Sequence, residues 1–113
     1  MIIRIWETGV VPAHAAEYLA FAETRSRAMF LEQPGCLGVL FLRAEGDRHA
    51  ACTFWRDADA IAALESSERY RATVSALAAT GVLSGPQTVR VYEVEGGMLE
   101  ARALRAIASS EPR

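Results

Sequence analysis

The alternation of apolar and polar residues divides most of the chain into strand-like and helix-like segments. Ile2 to Glu7 is a short run rich in Ile and Trp, which is typical of a β-strand. Pro12 suits the first turn of a helix, and apolar residues then recur at helical spacing from Ala13 to Glu32. Gln33-Pro34-Gly35 contains residues that end helices. This part of the chain therefore predicts a strand followed by one long helix.

A β-hairpin is predicted next. Its first strand runs from Cys36 to Arg43, its turn lies near Gly46-Asp47, and its second strand runs from His49 to Trp55. Pairing the strands outward from the turn sets Cys52 near Phe41 and far from Cys36. A disulfide between the two cysteines is therefore not expected, and both are predicted to be small buried hydrophobic residues.

A second helical region follows the hairpin and contains an interruption. Asp57 is a favourable N-cap residue, and Ile61 and Leu64 begin an apolar stripe at helical spacing. Ser66-Ser67 interrupts this stripe, which then resumes at Tyr70. We therefore expect a helix that is broken or bent near Ser66.

The last predicted strand runs from Gln87 to Val94, so the elements follow the order β-α-β-β-α-β. This order predicts an α+β, ferredoxin-like fold, in which one antiparallel sheet carries both helices on the same face. We predict one domain over residues 1–95. Residues 96–113 are expected to form a linker, Gly96-Gly97, and a weakly amphipathic helical tail from Met98 to Ala108.

The face of the sheet that the helices leave bare is also predicted to be apolar. The strand that begins at Cys36 is apolar at odd and even positions alike, whereas a strand open to water on one side alternates. On the first strand we assign Ile3 and Ile5 to the helix side, and Ile2, Arg4 and Trp6 to the bare face. Such a patch marks an interface, so we expect a symmetric homodimer joined through its sheets. The predicted interface residues are Arg4, Trp6, Leu40, Arg90 and Tyr92.

Composition narrows the classes of partner. The 113-residue chain carries a formal net charge of −2 and has no basic stripe for a nucleic-acid backbone. No apolar run approaches the ~20 residues that span a bilayer, and the first residues lack the apolar core of a signal peptide, so a cytoplasmic location is expected. Its histidines, cysteines and carboxylates show no metal-ligand spacing, so no metal site is predicted.

Three short motifs carry a resemblance to a known family. They are Gln33-Pro34-Gly35-Cys36-Leu37-Gly38, Phe54-Trp55-Arg56-Asp57-Ala58-Asp59-Ala60 and Ser67-Glu68-Arg69-Tyr70. In their order and spacing, residues 1–95 resemble the antibiotic biosynthesis monooxygenase family of the dimeric α/β-barrel superfamily. The resemblance implies that two subunits join their sheets into a dimeric α/β barrel. It also implies a pocket between sheet and helices in each subunit, with Trp55 as one wall.

The resemblance implies an activity as well. Family members that oxidise aromatic polyketides need no cofactor, because the substrate supplies the electrons for dioxygen while the protein positions and deprotonates it. This chain has Ala51, Ile61 and Val74 near the positions where those members carry Asn, Tyr and Arg. The haem-degrading members place an axial His on the second helix, and residues 58–81 contain no His.

Three functions are consistent with these residues. The first is a cofactor-independent monooxygenase that oxidises a small aromatic or quinol substrate with dioxygen. The second is a non-catalytic small-molecule-binding or stress-related homodimer on the same scaffold. The third is another activity of the superfamily, such as an isomerase or a decarboxylase.

The pocket candidates each have a structural and a functional interpretation. Trp55 is either a wedge in the core or a wall that stacks on a ligand, and the small Thr53 and Ala51 on the same side of its strand predict a cavity beside it. His49 is either a general base or the solvated end of the hairpin. Tyr70 is either core or a pocket hydroxyl. The full set of candidates is Met29, His49, Trp55, Ile61, Leu64 and Tyr70.

Overall fold

The computed structural model describes residues 1–109, which are built around a single four-stranded sheet. Its strands are β1 (Ile2–Val10), β2 (Cys36–Arg43), β3 (Arg48–Trp55) and β4 (Leu83–Glu93). All pairings are antiparallel, and the strand order is β2-β3-β1-β4. With two helical regions inserted between the strands, this is the predicted ferredoxin-like α+β fold.

The first helical region is continuous but not uniform. It consists of a 3₁₀ turn (Pro12–His14), α1 (Ala15–Phe21), a π-helical segment (Ala22–Ser26) and α2 (Arg27–Leu31). Gly35 then turns the chain toward β2 with a φ of 81°. A Cβ atom at Gly35 would lie 2.6 Å from the Cβ of Ala60, so only glycine fits where the two helical regions approach each other.

The second helical region is two helices, α3 (Ala58–Ser66) and α4 (Glu68–Ala79), each with its own cap. Asp57 Oδ1 accepts the Ala60 N–H at 2.9 Å, and Ser67 Oγ accepts the Tyr70 N–H at 3.2 Å. Ser67 has extended backbone angles, φ −72° and ψ 127°. The predicted break near Ser66 is confirmed, and it places Tyr70 in a capped first turn.

The two faces of β1 are the reverse of the prediction. Arg4 and Trp6 pair with Thr53 and Ala51 on the side that the helices cover, and Arg4 is only 3% exposed. Ile3 and Ile5 pair with residues of the other side, which we call the open face. The placement of Arg4 and Trp6 at a sheet-to-sheet interface is therefore wrong. Apolar residues occur at odd and even positions of β1, so alternation could not decide which face they occupy. Trp6 pairs with the small Ala51 on the helix side.

The predicted open face is correct on the other strands. Arg90 and Tyr92 pair with Ile5 and Ile3, and Leu40 pairs with Cys52, so all three predicted interface residues lie on that face. The hairpin register differs by one residue from the prediction, which paired Cys52 with Phe41. The Ala44 N–H donates to Arg48 O at 2.9 Å, so only residues 45–47 lie between this backbone pair, and the register shifts by one. Both cysteines are free thiols.

The helices do not cover the whole sheet. Val89 and Val91 of β4 lie on the helix side, yet they are 45% and 53% exposed. β4 is an edge strand, and it begins at Leu83, four residues before the predicted start at Gln87. A strip of apolar side chains on this strand is therefore open on both faces of the sheet.

Two clusters of buried side chains form the core between the sheet and the helices. The first contains Trp55, Leu64, Met29, Phe30, Ala51, Ala60 and Ile61. The second contains Val10, Tyr18, Leu77 and Val82. Trp6 packs against both clusters, so it joins the two halves of the core.

The tail forms a helix, α5 (Ala101–Ser109), after β4 ends at Glu93. Ile107 reaches a surface groove formed by the first helical region and β2. The domain boundary at residue 95 stays a prediction, and positions 110–113 of the predicted tail lie outside the described residues. Among the helices described, none is both long enough and apolar enough to cross a membrane.

Candidate ligand-binding site

A small cavity lies between the sheet and the helices, and we call it the inner cavity. Its volume is about 30 Å³, and its exposed lining is almost entirely carbon. The sheet contributes Trp6, Phe41 and Ala51, while the helices contribute Tyr18, Met29 and Tyr70 among others. Two of the predicted pocket residues, Met29 and Tyr70, are thus brought together here.

A buried arginine fixes the Tyr70 side of the inner cavity. The Arg4 Nη2 donates to the Tyr70 hydroxyl at 3.0 Å, and its guanidinium carbon lies 5.4 Å from the centre of the Tyr70 ring. Its counterion is the half-exposed Glu65, whose Oε2 lies 3.6 Å from Nη2. Within residues 1–109, the buried Arg4 Nε has no hydrogen-bond partner. A cation that is desolvated and incompletely paired lowers the stability of the fold. Packing alone therefore does not account for an arginine at position 4.

A larger space, which we call the outer groove, opens beside the inner cavity. Its volume is about 390 Å³, within the usual size of a small-molecule site. Tyr18 and Phe41 line both spaces, so these two rings separate them. Arg43 and His49 also line the outer groove and give it polar groups. The predicted pocket residue His49 therefore belongs to this space and not to the inner cavity.

Tyr18 and His49 are in contact in the wall of the outer groove. Their ring centres are 5.1 Å apart with the planes at 60°, an edge-on contact. Burial raises the pKa of Tyr18 to about 12, so its hydroxyl stays protonated at neutral pH. Burial and the charge of Arg43 lower the pKa of His49, although Asp47 opposes this effect. At neutral pH the imidazole is therefore uncharged and able to accept a proton.

Trp55 contributes to neither space. It is fully buried in the first core cluster, and its Nε1 donates to Thr53 Oγ1 at 2.7 Å. Ile61 and Leu64 are packed in the same cluster. The expected cavity does not border Trp55, which is packed in the same cluster as Met29 and Phe30. The space beside the small Ala51 is the inner cavity, and Trp55 is not among its lining residues. Trp55 is a wedge between β3 and the helices.

Sequence reasoning missed four residues that shape these spaces: Arg4, Trp6, Tyr18 and Phe41. A signal for Tyr18 was present, because Tyr18, Ala22 and Met29 recur at the spacing of one helix face. Leu19 also recurs at helical spacing with Ala22 and Met29, but it is 44% exposed. No such signal marked Arg4, since a charged residue is normally placed in solvent.

The described residues offer no obvious metal centre. Between residues 1 and 109, no three His, Cys, Asp or Glu side chains come close enough together to hold a metal ion. The polar groups of the site are instead an imidazole, two phenols and two guanidinium groups. Such groups can transfer protons and stabilise anions.

The fold and these two spaces define a ferredoxin-like domain with an aromatic-walled site between its sheet and its helices. The antibiotic biosynthesis monooxygenase family model matches residues 1–76, which is more than half of the chain. The chain belongs to that family. No curated protein matches the sequence.

Solved structures of the same fold include two oxygenases from Streptomyces. A monooxygenase from the gene ActVA-Orf6 of Streptomyces coelicolor, in complex with the ligand nanaomycin D, superposes with a TM-score of 0.75 at 18% identity, covering 88% of this chain and 92% of that chain. SnoaB, a cofactor-independent oxygenase from Streptomyces nogalater, gives 0.70 at 22% identity, covering 88% and 97%. At these identities the likeness concerns the fold of one chain, and it confirms the predicted ferredoxin-like α+β fold.

Proposed function

We propose that this protein is a cofactor-independent monooxygenase that oxidises a small aromatic or quinol substrate with dioxygen in the outer groove. The observation that carries the proposal is the contact of the His49 imidazole with the Tyr18 ring in a groove that Phe41 also lines. Burial lowers the pKa of His49, which favours the uncharged form that accepts a proton. Membership of the antibiotic biosynthesis monooxygenase family supports the reaction class.

In the proposed reaction, the substrate ring stacks against Tyr18 and Phe41 while His49 accepts a proton from its acidic hydroxyl or ring CH₂ group. Arg43 lies in the same groove and offsets the negative charge that the substrate then carries. The electron-rich anion reacts with dioxygen. A ring CH₂ group and O₂ give a ring carbonyl and water, and a hydroquinone and O₂ give a hydroxyquinone and water. Atoms and electrons balance in both cases without a further reductant.

The test compares the two histidines of the chain. Oxygen uptake is measured with a panel of hydroquinones and anthrones for the wild type, His49→Gln and His14→Gln. We expect His49→Gln to lower the rate by about 10²-fold or more, since it removes the general base. His14→Gln is the matched control, because His14 is half exposed and pairs with Glu17 at 3.3 Å. Equal rates in both variants, or no uptake with any compound, would contradict the proposal.

The inner cavity favours a second candidate, a non-catalytic small-molecule-binding protein. Ala51 and Val74 line this cavity and supply no proton donor or acceptor there. Such a protein would bind aromatic compounds in the outer groove, detected by quenching of indole fluorescence, without consuming oxygen. Binding without uptake across the whole panel therefore identifies the second function.

We also propose that two copies associate through the open face. That face carries apolar side chains from every strand, including Ile3, Leu40, Phe54 and Tyr92. A single copy leaves these side chains only partly covered, and apolar patches of this kind form interfaces. Glu7 and Arg48 form an ion pair at 2.9 Å on the same face, which adds a polar rim.

A further inference from the structure

The inner cavity is too small for the organic substrate proposed above. Its volume is about 30 Å³. A cavity that holds benzene measures about 150 Å³, whereas a single water needs about 10–15 Å³. The cavity therefore accepts an occupant of two or three heavy atoms at most, and the ring of an aromatic substrate has to remain in the outer groove.

Few polar atoms of the lining reach the cavity, although Tyr18 and Ser26 are among the lining residues. Water held inside a protein makes two to four hydrogen bonds. Here Thr73 Oγ1 donates to Arg69 O at 2.8 Å, and the Tyr70 hydroxyl accepts from Arg4. The surface that the lining residues expose to the cavity is almost entirely carbon. An apolar cavity of this kind stays free of ordered water and takes up small apolar molecules.

The position of the inner cavity points to one such molecule. Tyr18 and Phe41 line both the cavity and the outer groove, so an occupant of the cavity lies behind the rings on which the substrate would stack. We propose that the inner cavity is a binding site for dioxygen, separate from the site of the organic substrate. This inference rests on the proposed function, because only an oxygenase uses a dioxygen reservoir at this place.

Xenon is the probe for the site, since it is apolar, inert and visible to X-rays. Crystals of the wild-type protein under xenon pressure should show xenon in the inner cavity. Ala51→Val adds two methyl groups to one wall, and Ala22→Val adds them to the opposite wall. Both variants should lose the xenon peak, whereas Ala44→Val, at an exposed position outside both spaces, should keep it. An empty cavity in the wild type, or a water molecule that xenon does not displace, overturns the proposal.

The oxygen dependence of the reaction gives an independent readout. With any substrate that the wild type oxidises, Ala51→Val and Ala22→Val should raise the KM for dioxygen about fivefold or more and leave the KM for the organic substrate unchanged. A rise in the KM for the organic substrate alone would mean that the cavity holds part of that substrate, which overturns the dioxygen site. Thermal unfolding of each variant checks that it folds.

The two proposals fail in different ways. Xenon binding needs no turnover, so xenon in the cavity of a protein that consumes no oxygen contradicts the monooxygenase and leaves a gas-sized apolar site. Oxygen uptake by a protein whose cavity excludes xenon contradicts the dioxygen site and leaves the monooxygenase.

Discussion

Trp55 shows how a single buried ring can serve packing alone. Its indole N–H is satisfied by Thr53, whose own hydroxyl proton goes to the Arg4 carbonyl at 3.1 Å. The whole unit is internal to the sheet and leaves no group to contact a ligand. A large aromatic residue at the end of a strand therefore does not by itself indicate a binding pocket.

Truncation of Trp55 should accordingly affect stability and not binding. We expect Trp55→Ala to lower the free energy of unfolding by about 3–5 kcal/mol, as large aromatic truncations in a tight core do. Urea denaturation measures this loss, and Trp55→Phe provides a milder variant should the first fail to fold. Ligand quenching of the remaining Trp6 fluorescence should persist in Trp55→Phe. If Trp55→Ala kept near-normal stability but lost ligand binding, Trp55 would be a ligand-contacting residue and not a packing residue.

His49 should show pH behaviour that depends on its two charged neighbours. Burial and Arg43 lower its pKa below the ordinary value of about 6.5, and Asp47 partly raises it. The imidazole must be uncharged to act as a base, so oxygen uptake should increase as the pH rises through this lowered pKa and then level off.

Substitutions of the two charged neighbours, Arg43 and Asp47, test the direction in which each shifts the pKa of His49. Arg43→Gln removes a positive charge, so it should raise the pKa of His49 and move the profile to higher pH. Asp47→Asn removes a negative charge and should move it to lower pH. NMR titration of the His49 ring protons measures both shifts without a substrate. Shifts of the same sign in the two variants would exclude this electrostatic account.

Among the elements, those marked by specific backbone chemistry were the most predictable. The break between α3 and α4 followed from Ser66-Ser67, because a serine cap competes with the helix locally. The pattern could not predict which residues of β1 point toward the helices, because Ile3 and Trp6 are both apolar and either could be buried there. The site depended on that face, so Arg4 and Trp6 entered it only once the pairing with β3 was known.

The early start of β4 depends on Gly9. A register shift occurs between Glu7 and Gly9 where β1 pairs with β4, and a Cβ atom at Gly9 would lie 2.4 Å from the carbonyl oxygen of Ser84. The loop predicted before Gln87 is therefore strand, since the two backbones can approach. Pro86 is tolerated because β4 is at the edge of the sheet.

Substituting Gly9 should weaken this pairing. We expect Gly9→Ala to cost about 1–3 kcal/mol of unfolding free energy, the usual range for overpacking, because a backbone atom has to move. Gly96→Ala is the matched control, since a Cβ atom there meets nothing within 4 Å. Chemical denaturation compares the two variants. A Gly9→Ala protein as stable as the control would show that β4 pairs with β1 less closely than described.

At the scale of the whole molecule, the open face should govern assembly. Light scattering at micromolar concentration should give twice the mass of the 12.3 kDa chain. Leu40→Glu and Tyr92→Glu place charges on the open face and should shift the protein toward monomer, whereas Glu17→Ala, on an exposed helix surface, should not. A wild-type monomer, or equal effects of all three substitutions, would rule out association through this face.

The uncovered edge of β4 has a consequence for the solubility of the chain. An edge strand of 11 residues that exposes Val89, Val91 and Tyr92 can recruit a strand from another molecule, which is how ordered aggregates begin. Arg90 and Glu93 interrupt the run of valines, as gatekeeper charges do beside strands that have to remain apolar. The solubility of the protein therefore requires charged residues at positions 90 and 93, whether or not they take part in catalysis. Replacing them by apolar residues should make the protein turbid as it is concentrated.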